Sequence, residues 1–231
     1  MILFLFSLLA FFQNDFLEIV SENQHRINSY EYLIQGPDEE SNFNDVLSSK
    51  DFKSLNGENL NFGINDDVVW LKYRLLNQSL DSIKYLYINN PSLDSLELYV
   101  VKNSSVIESY KGGRLQSFSD KIIPSKSIIF KINLPVNQEV EIYLKVKSIN
   151  KTIITATVYD LNQINDLINK ENIIFGIFTG VIVGLFFYNL FLYFSVKDDI
   201  YLIYVLHTVL VWFAQSSILG YTNELFWQDS V

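Results

Sequence analysis

One uncharged apolar stretch constrains this chain of 231 residues more than any other feature. Residues 173–194 read IIFGIFTGVIVGLFFYNLFLYF and contain no Asp, Glu, Lys or Arg. As a helix this stretch would be about 33 Å long, enough to cross the hydrocarbon core of a bilayer. A second apolar stretch follows at 200–219, after a short polar turn at 195–199. The two stretches predict a transmembrane helical hairpin.

The two predicted spans contain small and polar residues that can each be interpreted in two ways. Gly176, Gly180 and Gly184 recur every four residues, so they share one helix face on which another helix can pack closely. The alternative is the ordinary glycine usage of membrane helices. His207 and Gln215 interrupt the second span. An ionisable group in hydrocarbon is by default a functional candidate, but we favour a neutral His207 bonded to a helix outside this pair.

The N-terminal residues 1–12 are apolar but too few to cross a bilayer. They predict a signal peptide, although no Lys or Arg precedes the run and Ser7 and Ala10 are its only small residues. A short buried helix or strand is the alternative. Export of the following segment would place 195–199 in the cytoplasm and 220–231 in a truncated outer loop.

The segment between the signal peptide and the membrane has the pattern of an all-β domain. Residues 68–76 place Val69, Leu71, Tyr73 and Leu75 on one side and Trp70, Lys72 and Arg74 on the other, with the period of two that a strand requires. Further runs rich in Ile, Val, Leu and Tyr, separated by turn residues, lie at 83–89, 96–101, 106–110, 128–134, 140–146 and 153–158. We therefore predict a jelly-roll-like antiparallel sandwich over 58–159. A polar lead-in at 13–57 can add an edge strand, and 160–172 has the spacing of a helical linker.

Composition excludes several classes of function. The absence of Cys removes thiol chemistry and Cys-bound metals, and two His residues leave little material for a metal site or a catalytic triad. A net charge of −9 with scattered Lys and Arg argues against nucleic acid. The adjacent pairs 39–40, 66–67 and 198–199 diverge as side chains or fit turn and cap roles, so no opposed carboxylate pair is implied. We expect no metal, no cofactor and no enzymatic activity.

The best candidates for ligand binding are aromatic and cationic residues of the predicted strands. They are Trp70, Lys72 and Arg74 on one strand face, Tyr85 and Tyr87 on a face of the next strand, and Arg114 in a loop. Such groups fit the apolar face and the hydroxyls of a sugar. The favoured alternative buries Trp70 inside the sandwich core, with Lys72 and Arg74 reaching toward its edge and Arg114 solvated.

Several motifs together resemble a known family. These are NFG at 61–63, VWLKYRLLN at 69–77, IYLKVKS at 142–148, YNLFLYFS at 188–195 and YLIYVL at 201–206. They are similar to bacterial seven-transmembrane receptors with diverse intracellular signalling modules (7TMR-DISM), over roughly residues 30–221. The resemblance implies a periplasmic, carbohydrate-binding-like jelly roll, seven membrane helices and a cytoplasmic output such as a kinase, a cyclase or a phosphatase.

The sequence departs from that family in having two spans and no output domain, so we interpret it as a fragment rather than a truncated product. The expected function is that of the sensory part of a receptor in the bacterial inner membrane. Its expected partners are membrane lipid, a small ligand or glycan in the periplasm, the missing helices and output domain, and a second copy of the chain as a candidate. The alternative is a structural or adhesive sandwich that is only tethered to the membrane.

Overall fold

The computed structural model describes residues 16–20, 24–37, 42–57, 59–64, 66–117 and 121–226. The predicted signal peptide at 1–12 and the acidic pair at 39–40 lie outside these residues. Within them, strands fill the N-terminal two thirds of the chain and helices the remainder, which confirms the predicted fold class of an antiparallel sandwich followed by a helical hairpin.

A seven-stranded large sheet forms one layer of the sandwich. Its strands are β1 (Leu17–Ile19), β3 (Ser29–Gln35), β4 (Lys53–Asn56), β6 (Val68–Asn77), β8 (Ser95–Lys102), β9 (Ser105–Gly112) and β11 (Glu139–Lys147). The order is β4-β3-β6-β11-β8-β9, with β1 paired in parallel beside the second half of β6. All other pairs in this sheet are antiparallel. The polar lead-in thus supplies the edge strand β4.

A four-stranded small sheet forms the other layer. Its strands are β2 (His25–Arg26), β7 (Ile83–Ile88), β10 (Ile128–Asn133) and β13 (Ala156–Tyr159), in the order β10-β7-β13-β2. A separate pair joins β5 (Leu60–Asn61) to β12 (Ile153–Ile154). The sandwich core lies between the two sheets because alternate residues of each strand point inward, for example Leu71 and Leu144 from the large sheet and Leu86 from the small sheet.

The outer faces of both sheets are also covered. A short helix, α1 (Phe43–Ser48), lies over the large sheet and buries Val46 with Trp70 and Tyr143. The small sheet is covered by the first turns of the next helix. Residues on both faces of β6 are therefore buried, which explains why most residues of the run 68–76 are apolar.

Three helices follow in the described part of the chain: α2 (Leu161–Val196), α3 (Ile200–Ile218) and α4 (Tyr221–Phe226). The predicted linker at 160–172 and the predicted span at 173–194 are one unbroken helix of 36 residues, about 54 Å long. Lys197 ends it in the left-handed conformation, and Asp198 Oδ1 accepts a hydrogen bond from Ile200 N at 3.0 Å to start α3. Both α2 and α3 have the length and apolar composition of membrane spans.

Candidate functional site: the junction of the sandwich and the hairpin

The small sheet packs directly against the start of α2. Tyr85 and Tyr87 on β7 are 7% and 5% exposed, and they share an apolar cluster with Ile164 of α2. Leu167 and Ile168, one turn further along the helix, pack against the same cluster. This spacing of three and four residues places one face of α2 on the sheet. The helix that enters the membrane is therefore seated on the sandwich.

An ion pair fixes the beginning of α2. Asp160 is the N-cap residue of α2, and its backbone N–H donates a hydrogen bond to Gln163 Oε1 at 3.0 Å. The Asp160 carboxylate also forms an ion pair with Lys84 of β7, a residue that is only 1% exposed. A buried ammonium is costly unless it is paired, so Lys84 ties the cap of α2 to the strand beside it.

Glu171 makes a second connection about three turns further along α2. Its Oε1 accepts a hydrogen bond from the Tyr87 hydroxyl at 3.0 Å, and its Oε2 lies 3.5 Å from Lys126 Nζ in the segment before β10. Burial raises the pKa of Tyr87, and the neighbouring carboxylate of Glu171 adds to that rise. Tyr87 thus remains a neutral hydrogen-bond donor to Glu171 over the physiological pH range.

The outer end of α3 returns to the same place. Tyr221 stacks on Phe175 of α2 with ring centroids 3.8 Å apart, and the Tyr221 hydroxyl bonds Asn172 Oδ1 at 3.2 Å. Lys126 Nζ lies 5.0 Å from the centroid of the Tyr221 ring. The sandwich, α2 and the α3–α4 turn therefore meet at one point, which we call the junction.

Gly220 allows the close approach at the junction. Its φ is +85°, and a Cβ at this position would lie 3.0 Å from Pro91 Cβ of the sandwich. The loop that carries Pro91 is in turn ordered by Asp94, two residues after Ser92. Asn150 Nδ2 donates to Ser92 O at 3.2 Å and to Asp94 Oδ1 at the same distance. A side chain at position 220 would therefore crowd Pro91 of the sandwich.

The sequence-predicted ligand residues are not brought together. Trp70, Lys72 and Arg74 lie on the outer face of the large sheet, whereas Tyr85 and Tyr87 lie under α2 on the outer face of the small sheet. The expectation that Trp70 lies inside the sandwich core is wrong. Its ring is 1% exposed but on the opposite side of β6 from the core, because α1 covers that face.

The cations beside Trp70 form a grid of ion pairs. Lys72 Nζ lies 3.0 Å from Glu141 and 3.6 Å from Glu31, and Arg74 lies 3.2 Å from Glu31 and 3.6 Å from Glu141. Burial alone would lower the pKa of Lys72, but the hydrogen bond that its ammonium donates to Glu141 raises that pKa above the ordinary value. These charges satisfy one another, so the predicted sugar platform is occupied by the protein's own groups.

Arg114 lies at the end of the sandwich and is also paired. Its Nη2 and Nε donate to Asp94 Oδ1 at 2.6 and 3.1 Å, while Ser148 Oγ and Ile149 N donate to Asp94 Oδ2 at 3.0 and 2.9 Å. Burial alone would raise the pKa of Asp94, but these donors outweigh it and hold that pKa below its usual value. Arg114 therefore holds a loop in place rather than projecting freely.

The predicted packing glycines and His207 do not lie at the contact between the two helices. An ideal Cβ at Gly176, Gly180 or Gly184 would meet no described atom within 4 Å, and His207 is exposed. The contact is instead made by larger residues, with Trp212 Nε1 donating to Thr179 Oγ1 at 3.1 Å. The glycine face stays a prediction for helices beyond this hairpin.

Gln215 lies at the edge of the junction. It lines an open pocket of about 380 Å³ together with polar groups of Lys126 and Glu171 and the rings of Phe175 and Tyr221. No group of three or more His, Cys, Asp or Glu that could hold a metal ion occurs among the described residues.

Sequence reasoning missed the residues that make the junction: Lys84, Asp160, Glu171, Lys126 and Tyr221. Their partners are up to 84 residues apart in sequence, so no local spacing reveals them. One signal was present, because Lys84 breaks the otherwise apolar run of β7 and a charge inside a buried strand implies a partner.

Comparisons with known proteins agree with the geometry. A family model described as 7TMR-DISM extracellular 2 matches residues 28–160, and one described as 7TM diverse intracellular signalling matches residues 171–231. Both describe parts of a membrane receptor with an extracellular domain, and neither describes an enzyme. The boundary between the two matches falls within α2 at the junction. No curated protein matches the chain.

Three solved structures of glycosidases are distantly similar to this chain. A β-glucuronidase of Faecalibacterium prausnitzii is 9% identical with a TM-score of 0.34, covering 55% of this chain and 21% of its own. A β-glucuronidase of Ruminococcus gnavus is 12% identical with a TM-score of 0.34, covering 58% and 23%. A β-glucosidase of Kluyveromyces marxianus is 12% identical with a TM-score of 0.35, covering 57% and 17%. The chain spans less than a quarter of each enzyme, and likeness this weak carries no functional argument.

Proposed function

Because this chain belongs to the family of seven-transmembrane receptors with diverse intracellular signalling modules, whose extracellular model covers more than half of it, we propose that it is the sensory part of such a receptor. A ligand bound by the sandwich outside the cell shifts the arrangement of the membrane helices. A cytoplasmic output domain beyond this segment reads that shift. The setting that we propose is the inner membrane of a bacterium, and the sensory part itself catalyses no reaction.

The observation that carries this proposal is the continuity of α2. A single helix is bonded to the sandwich through Asp160 and Glu171 and runs without a break to Val196. A flexible linker would absorb a displacement of the sandwich, whereas a continuous helix passes it on. The α3–α4 turn touches the sandwich as well, so both membrane helices respond to the same body.

The energetic requirement is modest. A ligand changes an equilibrium only by its difference in affinity for the two arrangements, and a coupling of about 1 to 3 kcal/mol is typical. This amount is comparable to the contribution of one or two charged hydrogen bonds, each about 1.5 to 3 kcal/mol. The contacts of Glu171 and Lys84 are therefore sufficient to bias the hairpin.

Reciprocity of binding provides the experiment. The full chain in lipid nanodiscs is screened against glycans, envelope lipids and periplasmic proteins, and the affinity for any ligand found is measured again after residues 173–219 are replaced by an unrelated two-helix anchor. Coupling predicts that the affinity changes by about 5-fold or more. Equal affinities would show that the sandwich is merely tethered, and a screen without any ligand would remove the ligand-driven mechanism.

A further inference from the structure

Strand β7 runs beside α2 toward the membrane. Lys84 pairs with Asp160 at the N-cap of α2, and Tyr87 donates a hydrogen bond to Glu171 about three turns later. The strand and the helix therefore run in the same direction. The end of β7 at Ile88 is the end nearer to the membrane span, and the turn before β7 lies at the opposite end of the sandwich.

The loop after β7 reaches the boundary of the membrane. It carries Pro91, and a Cβ on Gly220 at the outer end of α3 would lie 3.0 Å from Pro91 Cβ. The next residue, Tyr221, stacks on Phe175. Phe175 is the third residue of the uncharged stretch 173–194. This end of the sandwich therefore lies beside the start of the membrane span.

Loops from other parts of the chain are bonded to the loop after β7. Ile149 N donates to Asp94 Oδ2 at 2.9 Å, and Leu115 N donates to Asp94 O at 3.0 Å. Thr152 N, in the same loop as Ile149, donates to Gly63 O at 2.8 Å. These loops therefore form one end of the sandwich. We call it the membrane-proximal end, and it comprises residues 63–64, 90–94, 113–116 and 148–152.

Large apolar side chains project from three of these loops. Ile64 is 75% exposed, Ile149 is 69% exposed and Leu115 is 53% exposed. Single exposed apolar residues are common on protein surfaces and need no special explanation. These three, however, share the end at which the chain enters the membrane. At that place an exposed apolar side chain can leave water by entering the bilayer surface.

The charged residues at or beside this end have both signs. Lys147 and Lys151 are exposed, and so is Asp66. Arg114 is paired with Asp94. Electrostatic attraction therefore gives this end little preference for anionic lipid. The burial of apolar surface is the interaction that favours its contact with a bilayer.

We propose that the membrane-proximal end dips into the outer surface of the bilayer and buries Ile64, Leu115 and Ile149 at the boundary between headgroups and acyl chains. Lipid is the partner that this position supplies, because the loops lie beside the start of a span that lipid surrounds. The end is a second attachment of the sandwich, separate from its contacts with α2. This attachment goes beyond the proposed function, and it holds whether or not a ligand drives the receptor.

The test measures where spin labels on this end are located. The chain contains no cysteine, so Ile64→Cys and Ile149→Cys can each be labelled singly in the full chain, reconstituted in phosphatidylcholine nanodiscs. Power-saturation electron resonance compares collisions of the label with oxygen, which concentrates in hydrocarbon, and with a water-soluble nickel chelate. Leu80→Cys is the matched control, because Leu80 is 91% exposed in the turn before β7. We expect a severalfold higher ratio of oxygen to nickel collisions at both test positions than at the control.

A second measurement tests an unlabelled side chain. Leu115→Asp is introduced into the chain labelled at position 64. Losing the burial of one leucine should shift the equilibrium between inserted and withdrawn loops about tenfold, so the collision ratio should fall toward that of the control. Leu80→Asp in the same labelled chain should leave the ratio unchanged.

Each contrary result is distinct. A ratio at position 64 or 149 equal to that at position 80 would place that loop in water and overturn the proposal. Few collisions with both reagents would overturn it as well, since another protein segment rather than lipid would then cover this end. A ratio that Leu115→Asp leaves unchanged would contradict the joint insertion of the loops.

Discussion

At the scale of single residues, two buried tyrosines in contact differ in whether their hydroxyls are satisfied. Tyr30 and Tyr73 pack edge to face with ring centroids 5.3 Å apart. The Tyr30 hydroxyl donates to Ile27 O, whereas the Tyr73 hydroxyl is buried without a hydrogen-bond partner among the described residues. A buried polar group left unpaired destabilises the folded chain.

We therefore predict opposite effects for the same substitution at these two positions. Tyr73→Phe removes an unpaired hydroxyl and should increase the free energy of unfolding by about 1 kcal/mol. Tyr30→Phe removes a hydrogen-bonded hydroxyl and should decrease it by about the same amount. Chemical denaturation of the two variants measures both changes. A loss of stability in Tyr73→Phe would mean that its hydroxyl is satisfied in the folded protein.

Asp94 gives the sandwich a dependence on pH with a definite sign. Its carboxylate accepts hydrogen bonds from Arg114, Ser148 and Ile149, so its pKa is lower in the folded chain than in the unfolded chain. The stabilisation is therefore complete above the unfolded pKa, about 3.9, and is lost as the pH falls through the folded pKa.

Asp94→Asn should lower the free energy of unfolding by about 2 kcal/mol at pH 7, and the difference from the parent should shrink as the pH falls below about 4. Thermal denaturation at several pH values measures the trend. Asp45→Asn, at an exposed position in α1, is the control and should show neither effect. A difference that stays constant down to acid pH would contradict the assigned role of the charge.

At the scale of elements, the N-cap of helix α2 depends on a residue of strand β7. Lys84→Met leaves Asp160 without its ion-pair partner, and we predict a loss of about 2 kcal/mol in the free energy of unfolding. Amide exchange in the first turns of α2 should accelerate. The double variant Lys84→Met with Asp160→Asn should recover part of the loss, because the stability changes caused by substituting two contacting residues are not additive. Independent, additive losses would contradict the pairing.

The periodicity of the sequence predicts where the strands lie, but it does not predict which face of each strand points into the core. The predicted runs at 83–89, 128–134 and 140–146 correspond to β7, β10 and β11 within one or two residues, because an alternating pattern reports a half-buried surface directly. The side of β6 on which Trp70 lies was assigned wrongly. Both faces of that strand are covered, and burial on two sides removes the contrast that distinguishes inside from outside.

Long-range contacts set the other limit on prediction. The sequence distinguished a linker from a span by polarity, but a helix continues through a change of polarity wherever nothing breaks its hydrogen bonds. The contacts of the junction depend on which strands become edges and which loops meet, as with Lys126 and Tyr221. These are properties of the topology, and no short motif specifies them.

At the scale of the whole molecule, the sandwich is one body that is seated on two helices. The sandwich holds α2 through Lys84 and Glu171 and touches the α3–α4 turn through Pro91 and Lys126. The absence of cysteine from the chain makes this arrangement easy to probe, since introduced cysteines can be labelled without background.

The most direct test is the distance between spin labels on Lys131→Cys of the small sheet and Val183→Cys of α2, measured in nanodiscs by pulsed electron resonance. A rigid connection between the sandwich and α2 predicts a single narrow distribution, which a short glycine-rich insertion between Lys170 and Glu171 should broaden. A broad distribution in the uninterrupted chain, or one that the insertion leaves unchanged, would show that the sandwich moves independently of the helix and would contradict the rigid connection.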